Sequence, residues 1–503
     1  MSEDLKQRVA LSPERRALLQ LRLKEKRGDV VSRQRITRGE RTGVYPMSYE
    51  QERLWFFHLL APNSLVHNLN RRNILEGPLD VKALQKSFDE LVRRHEILRT
   101  TLTLGDGRPI QVVAPPRADM LPFIDLSGLP SEERAARAEE LAVDQARQPF
   151  DLAEGPLIRA ALLRLNSEKH ALLLTLHHVI TDWWSFGVLY RELLTLYQAF
   201  LTGSTSPLPE LSIQYGDYAR WQREWLQGKE LERLLSYWKQ QLSDCPHMLN
   251  LPMDHPRPAR PAFRGRRLHF EFPKELYRAL EDLSHAEDVT PFMTTLAVFQ
   301  VLLYRYTSQE QFVVGSPTAN RSKLETESLI GFLINTLVLR GDLSGDPTFR
   351  ELLKRLKETL VGAYTHQDLP FQRLVEELKP ERNWSVTPLV QVAFIFLSAA
   401  TPNLDAAIPQ LTVSEFPRLQ LRNVEVVASE LDLTLSLQNC SDFLDGFFEY
   451  NTEIFDQSTI ARMVEHLRTL MEAVVANPNQ RISDLPLLAS EETDSLLPKF
   501  DFE

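Results

Sequence analysis

His177-His178-Val179-Ile180-Thr181-Asp182, the run HHVITD at residues 177–182, decides how this chain folds. Residues 171–176 before it, ALLLTL, are apolar enough to form a buried strand. After it, Val188, Leu189, Leu193, Leu194, Tyr197 and Leu201 recur at helical spacing. The run is therefore a tight strand-to-helix connection. Such a connection can push an imidazole out of a rigid sheet into a cleft. Histidine is the side chain whose unperturbed pKa lies near neutrality, so its placement there bears on proton chemistry.

The whole chain has 503 residues, which exceeds one ordinary domain and predicts two lobes or more. Composition is that of a water-facing globular protein, 43% hydrophobic and 25% charged. No apolar run is long enough for a membrane-spanning helix, and the charged N-terminus lacks a secretory apolar core. Two cysteines, Cys245 and Cys440, suit a reducing cytoplasm and form no metal-binding spacing. Net charge is −10, yet residues 1–42 hold twelve Lys/Arg against six Asp/Glu, leaving the remainder at −16. So acidic a body argues against nucleic acid as a partner. The basic N-terminal segment reads as a solvated helix and linker, with docking to an acidic protein as the alternative.

Ser12-Pro13-Glu14 reads as cap, first-turn proline and acid of a helix running to about Arg27, and residues 28–42 as a linker. Beyond it strands and helices alternate. Helices are expected over 81–94, 132–147, 274–286, 290–306, 349–365 and 460–476. Strands are expected over 157–165, 171–176, 311–315, 390–397 and within 432–449. Residues 246–265 hold five prolines and one glycine, the best lobe boundary on composition alone.

HHxxxD at a strand end resembles the signature of nonribosomal peptide synthetase condensation domains, relatives of chloramphenicol acetyltransferase. Seven more blocks follow that family's order: SYEQERLWF (48–56), RRHEILRT (93–100), YGDYARWQ (215–222), GSPTANR (315–321), IGFLINTLVLR (330–340), HQDLPFQRLV (366–375) and RNWSVTPLVQVAF (382–394). The resemblance covers roughly residues 43–490. It implies an α/β fold of two chloramphenicol-acetyltransferase-like lobes, a V-shaped pseudo-dimer with a cleft or tunnel between them. It also moves the lobe crossover to the YGDYARWQ block. The implied division is 1–42 N-terminal helix and linker, 43–220 N-terminal lobe, 221–490 C-terminal lobe and 491–503 C-terminal linker. No carrier-protein motif occurs and no adenylation domain follows, so the chain reads as an excised or freestanding unit.

The implied reaction is acyl transfer from a carrier-bound acyl or peptidyl thioester to an aminoacyl thioester or free amine. Upstream and downstream carrier proteins would be the partners, with no nucleic acid and no membrane. The phosphopantetheine arms ride on those carriers, and no cofactor or metal is held directly. His178 is the candidate catalytic residue, as base or as positioning group. His177 faces the other way and packs, because neighbours at a strand end point to opposite sides. Asp182 is a scaffold expected to pair with Arg321. Ser185 is read as a helix cap, with a polar contact near the thioester as the alternative. Asn335 is either pocket lining or a strand-end residue. Arg94 and Arg99 are expected to hold the lobe together through salt bridges.

One departure is plain. The family usually carries Gly after the Asp, and this chain carries Trp183. Glycine permits positive φ or close backbone approach. Trp183 leaves a reshaped pocket, an unusual acceptor or lost activity, and with HxxxD intact altered substrate space is favoured over lost activity. Two rival readings stand beside amide formation: an ester-forming condensation domain, and a non-catalytic recruitment domain. The second usually corrupts one of the histidines or adds charge after the Asp, and here both histidines remain.

Overall fold

The computed structural model of the chain describes residues 35–246, 248–259, 262–380, 386–397, 412–415, 427–440 and 443–488. The helix expected near residues 12–27 and the C-terminal linker lie outside them.

The first lobe is built on the strand Lys169–His177, whose apolar run is explained by its central place in a five-stranded sheet. It pairs antiparallel with Asn68–Glu76 on one side and Ile158–Arg164 on the other. Its even positions, Leu172, Leu174 and Leu176, face one core with helices Val81–Arg94 and Trp183–Leu201. Its odd positions, Ala171 and Leu173, face helix Ser131–Arg147. Each face is thus covered, and alternation is lost. A small three-stranded sheet, Val44–Pro46, Arg108–Val113 and Thr100–Gly105, lies beside this lobe's core.

A seven-stranded sheet forms the second lobe, running from Asn335–Asp342 through Gln311–Thr318, Val392–Leu397, Leu433–Asn439, Phe443–Asn451 and Arg264–Pro273 to Val427–Ala428. Helix Pro291–Thr307 is buried along every residue from Met293 to Leu303, because sheet and helices enclose it.

The hydrophobic core changes at the end of helix Tyr215–Trp225: Tyr218 belongs to the first core, Leu226 and Leu234 to the second. The proline-rich 246–265 is not that change. Leu249 and Leu251 inside it share a core with Leu234 before it and Leu280 after it. Prolines exclude the segment from helix and ladder without separating two cores. The described end of the expected linker, residues 35–42, is also seated: Ile36 is buried in the first core and the Gly39 amide donates to Asp217.

Two straps from the second half cross back to the first lobe. Strand Thr412–Glu415 pairs with Asn73–Glu76 at the edge of the first sheet. Leu329, Ile330, Phe332 and Leu333 bury themselves in the first core. The second strap brings the far lobe to the HHVITD loop.

Candidate active site

The strand ends at His177, and residues His178–Ile180 make one tight turn before helix Trp183–Leu201. The two histidines separate as the strand alternation requires. His177 is buried, and its Nδ1 accepts from the Val179 amide at 3.1 Å. Burial, then neighbouring His67 and His178, press its pKa well below the usual histidine value.

His178 turns its Nδ1 to the Thr181 carbonyl at 2.7 Å. A carbonyl has no proton to give, so Nδ1 carries the hydrogen and Nε2 of the neutral ring holds a lone pair. Among the described residues Nε2 has no hydrogen-bond partner, and the ring is part-exposed. The Phe332 ring meets it edge-on at 4.7 Å. Burial and then His67 lower the His178 pKa to about 4. The neutral ring therefore dominates at any ordinary pH, and it is poised to accept a hydrogen bond.

Asp182 is fully buried and takes donors from both lobes. The Ser185 amide donates to Oδ1 at 2.8 Å, and Arg321 Nη2 reaches Oδ1 and Oδ2 at 2.9 and 3.0 Å. The Leu333 amide adds a bond to Oδ2 at 3.2 Å. Arg321 Nη1 in turn donates to the Thr326 and Leu329 carbonyls. The expected Asp182–Arg321 pair is thus present, and it fastens the strap that carries Phe332.

Asp182, not Ser185, caps the helix. Ser185 sits one turn inside, and its hydroxyl bonds Asp182 Oδ1 at 2.6 Å while accepting from the Gly331 amide at 3.0 Å. It serves the scaffold. The cap reading fails because the carboxylate preceding the helix reaches the free amide first.

Trp183 is the first residue of that helix, so it needs no positive φ. Its ring is 40% exposed and lies under the Arg71 guanidinium at 4.1 Å. The structure does not bring it to the His178 ring. Asn335 is a strand-end residue. Its amide donates to the Gln367 and Leu369 carbonyls, and its Oδ1 accepts from the Thr336 and Phe371 amides. Both polar atoms are used inside the chain, so nothing is left for a substrate. Arg94 lies within the first lobe, buried against Glu192 at 2.8 Å, with His95 on the same carboxylate at 2.7 Å. Arg99 donates to the Ala114 carbonyl and approaches Glu96 at 3.8 Å.

The other blocks brace the site. Gln51 of SYEQERLWF donates to the Val179 carbonyl at 3.3 Å, and the Tyr215 hydroxyl donates to the Phe332 carbonyl at 2.6 Å. Two further groups near His178, His67 and Glu430, carry no motif signal, and Arg53 of SYEQERLWF joins them. The Nε2 of His67 meets Glu430 Oε1 at 2.7 Å, and Arg53 lies 3.5 Å from the same carboxylate. Glu430 comes from the second lobe, and proximity in sequence could not have paired it with His67. Among the described residues no cluster of three metal-ligating side chains occurs, and no helix is long and apolar enough to cross a membrane.

Against known proteins, a family model for the condensation domain matches residues 41–497. A component of the linear gramicidin synthase of Brevibacillus parabrevis is 44% identical over 456 residues, 91% of this chain and 9% of that protein. Phosphinothricin tripeptide synthetase PhsC of Streptomyces viridochromogenes is 39% identical over 493 residues, 97% of this chain and 45% of that protein. The crystal structure of the X-domain from teicoplanin biosynthesis superposes with TM-score 0.80 at 28% identity, covering 90% of this chain and all of that one. The first condensation domain of the CDA synthetase gives TM-score 0.70 at 19% identity over 90% of this chain and all of that one, a likeness of fold. This chain spans less than half the length of either of these curated relatives. Two α/β lobes in a V are the fold of solved condensation domains. The chain belongs to the condensation domain family of nonribosomal peptide synthetases.

Proposed function

We propose that this chain forms an amide bond between a carrier-bound acyl or peptidyl thioester and an amine, itself free or carried as an aminoacyl thioester. The observation that carries this reading is the His178 ring: Nδ1 is tied to the Thr181 carbonyl and Nε2 is left open. An open lone pair accepts an N–H from the incoming amine and aims the amine's own lone pair at the thioester carbonyl. The C–N bond forms, the tetrahedral species collapses with loss of the C–S bond, and the proton shed by nitrogen passes to the departing thiolate. A pKa near 4 makes His178 a weak proton store. Holding the amine in line is therefore its principal work, with proton passage secondary. The thioesters arrive on phosphopantetheine arms of upstream and downstream carriers, and the protein would work in the cytoplasm.

One likeness favours a second reading. A solved complex of the X-domain and OxyB from teicoplanin biosynthesis superposes with TM-score 0.80 at 27% identity. A chain of that kind would dock another enzyme without condensing anything. The open Nε2 and intact Asp182–Arg321 scaffold argue for chemistry instead. The test mixes this chain with loaded donor and acceptor carriers and weighs the carriers intact. Product on the acceptor carrier, lost with His178→Ala, is expected. No transfer with any loaded pair, or equal transfer by His178→Ala, overturns the reading.

A further inference from the structure

A hydrogen-bonded chain reaches the HHVITD loop from the opposite lobe. The ladder between the two central strands of the first sheet ends at the pair Asn68–His177. One bond continues past it: the His178 amide donates to the His67 carbonyl at 2.7 Å. That bond sets the height at which the His178 backbone leaves the sheet. The His67 ring lies 6.4 Å from the His178 ring, and its Nε2 meets Glu430 Oε1 at 2.7 Å, with the side chain 8% exposed. Glu430 precedes the second-lobe strand Leu433–Asn439, and its own carbonyl is held by the Thr387 hydroxyl at 2.7 Å. Burial opposes its charge, yet His67 and Arg53 keep its pKa down at about 2. The carboxylate is therefore a permanent acceptor, anchored in one lobe and holding the other lobe's His67.

We infer that Glu430 is a positioning residue: by binding His67 it keeps the His67 carbonyl under the His178 amide, so His178 is set for reaction only when the second lobe is closed on the first. This rests on the amide-forming reading. A carboxylate that instead bound the substrate amine would be free to reach it, whereas both oxygens here face His67 and Arg53.

Amide hydrogen exchange over residues 176–182, read by mass spectrometry on the full chain, tests this apart from catalysis. Glu430→Ala and His67→Ala should each raise exchange there about tenfold, and the double variant no further. Glu430→Gln keeps an acceptor in place and should restore protection. Glu430→Leu keeps the volume and carries the test if the alanine variant does not fold. With loaded carriers, Glu430→Ala should lower kcat about tenfold and leave the acceptor KM within about twofold. Unchanged exchange in either single variant overturns the proposal. So do additive effects, or a rise in KM at constant kcat. A wild-type chain that forms no amide would sink the proposed function, while the exchange arm still judges the positioning.

Discussion

Among the described residues two arginine–carboxylate pairs have both side chains buried, and they do different work. Arg94–Glu192 joins two helices of the first lobe, Val81–Arg94 and Trp183–Leu201. Asp182–Arg321 joins the two halves of the chain at the site. Burial opposes the Glu192 charge, but His95 and Arg94 hold its carboxyl below the usual range, and both of these partners lie in the same lobe. Asp182 gathers donors from Ser185, Arg321 and Leu333, and through them places Phe332 against His178. Similar chemistry thus braces a lobe in one place and assembles a site in the other. Neither pair is by itself evidence of net stability, but breaking either from one side leaves a buried charge.

An order of effects follows from this contrast. His178→Ala removes the group that the Asp182 scaffold serves, and turnover should fall about 10²–10⁴-fold with the melting curve unmoved. Asp182→Ala should cost about 3–5 kcal/mol of stability. It should also lose about 10² in turnover where it is still folded, because the strap at residues 329–333 shifts. Asp182→Ala, Arg321→Ala and their double variant should show strong non-additivity in both readouts, and simple addition would mean the pair carries no coupling. Glu192→Ala should lose a similar about 3–5 kcal/mol, yet keep kcat within about twofold at a temperature where it is folded. A large activity loss there would erase the distinction between the two pairs.

Acid titration sharpens the same contrast. Burial lowers the pKa of His95, His177 and His178, so the unfolded chain binds protons that the folded one refuses. Stability they contribute is full above about 6.5 and is lost as pH falls below it, for His178 toward 4. Glu50 acts in the opposite sense. Burial raises its pKa to about 7, so its contribution is present below 4.5 and lost as pH rises through 7. Glu50→Gln should therefore raise the melting temperature above pH 7 and leave it unchanged below pH 4.5, measured by thermal unfolding across pH. The smallest effect belongs to Trp183→Gly. An indole 40% exposed under Arg71 is no core residue, so the cost should be about 1–2 kcal/mol, from a helical glycine and a lost cation–π contact. Rates across acceptors of graded size should keep their order, and a broadened range would place Trp183 at the pocket after all.

Much of this was legible in the sequence because motif and chemistry pointed the same way. Buried strand, turn and helix around HHVITD follow from apolar patterning, and the family resemblance implied the Asp182–Arg321 pair that the structure shows. Helices 274–286 and 349–365 fall where periodicity puts them. Other features had no local signal. Strand Thr412–Glu415 is too short to show alternation, and its partner lies in the other lobe. Ser185 and Asp182 both suit a helix cap, and only backbone geometry assigns it to Asp182. Asn335 lines a small pocket beside Glu50 and Arg53, and only tracing its bonds shows that its polar atoms are used inside the chain. The His67–Glu430 pair needs the folded lobes to bring it together.

Everything proposed for the site turns on His178 being neutral, with hydrogen on Nδ1 and a lone pair on Nε2. Histidine ring NMR of the full chain, assigned by His178→Gln, reads both at once across pH 3 to 8. The predicted result is the Nδ1–H tautomer at pH 7 and a titration midpoint near 4. An Nε2–H tautomer, or a midpoint at the ordinary 6.5 or above, would contradict it.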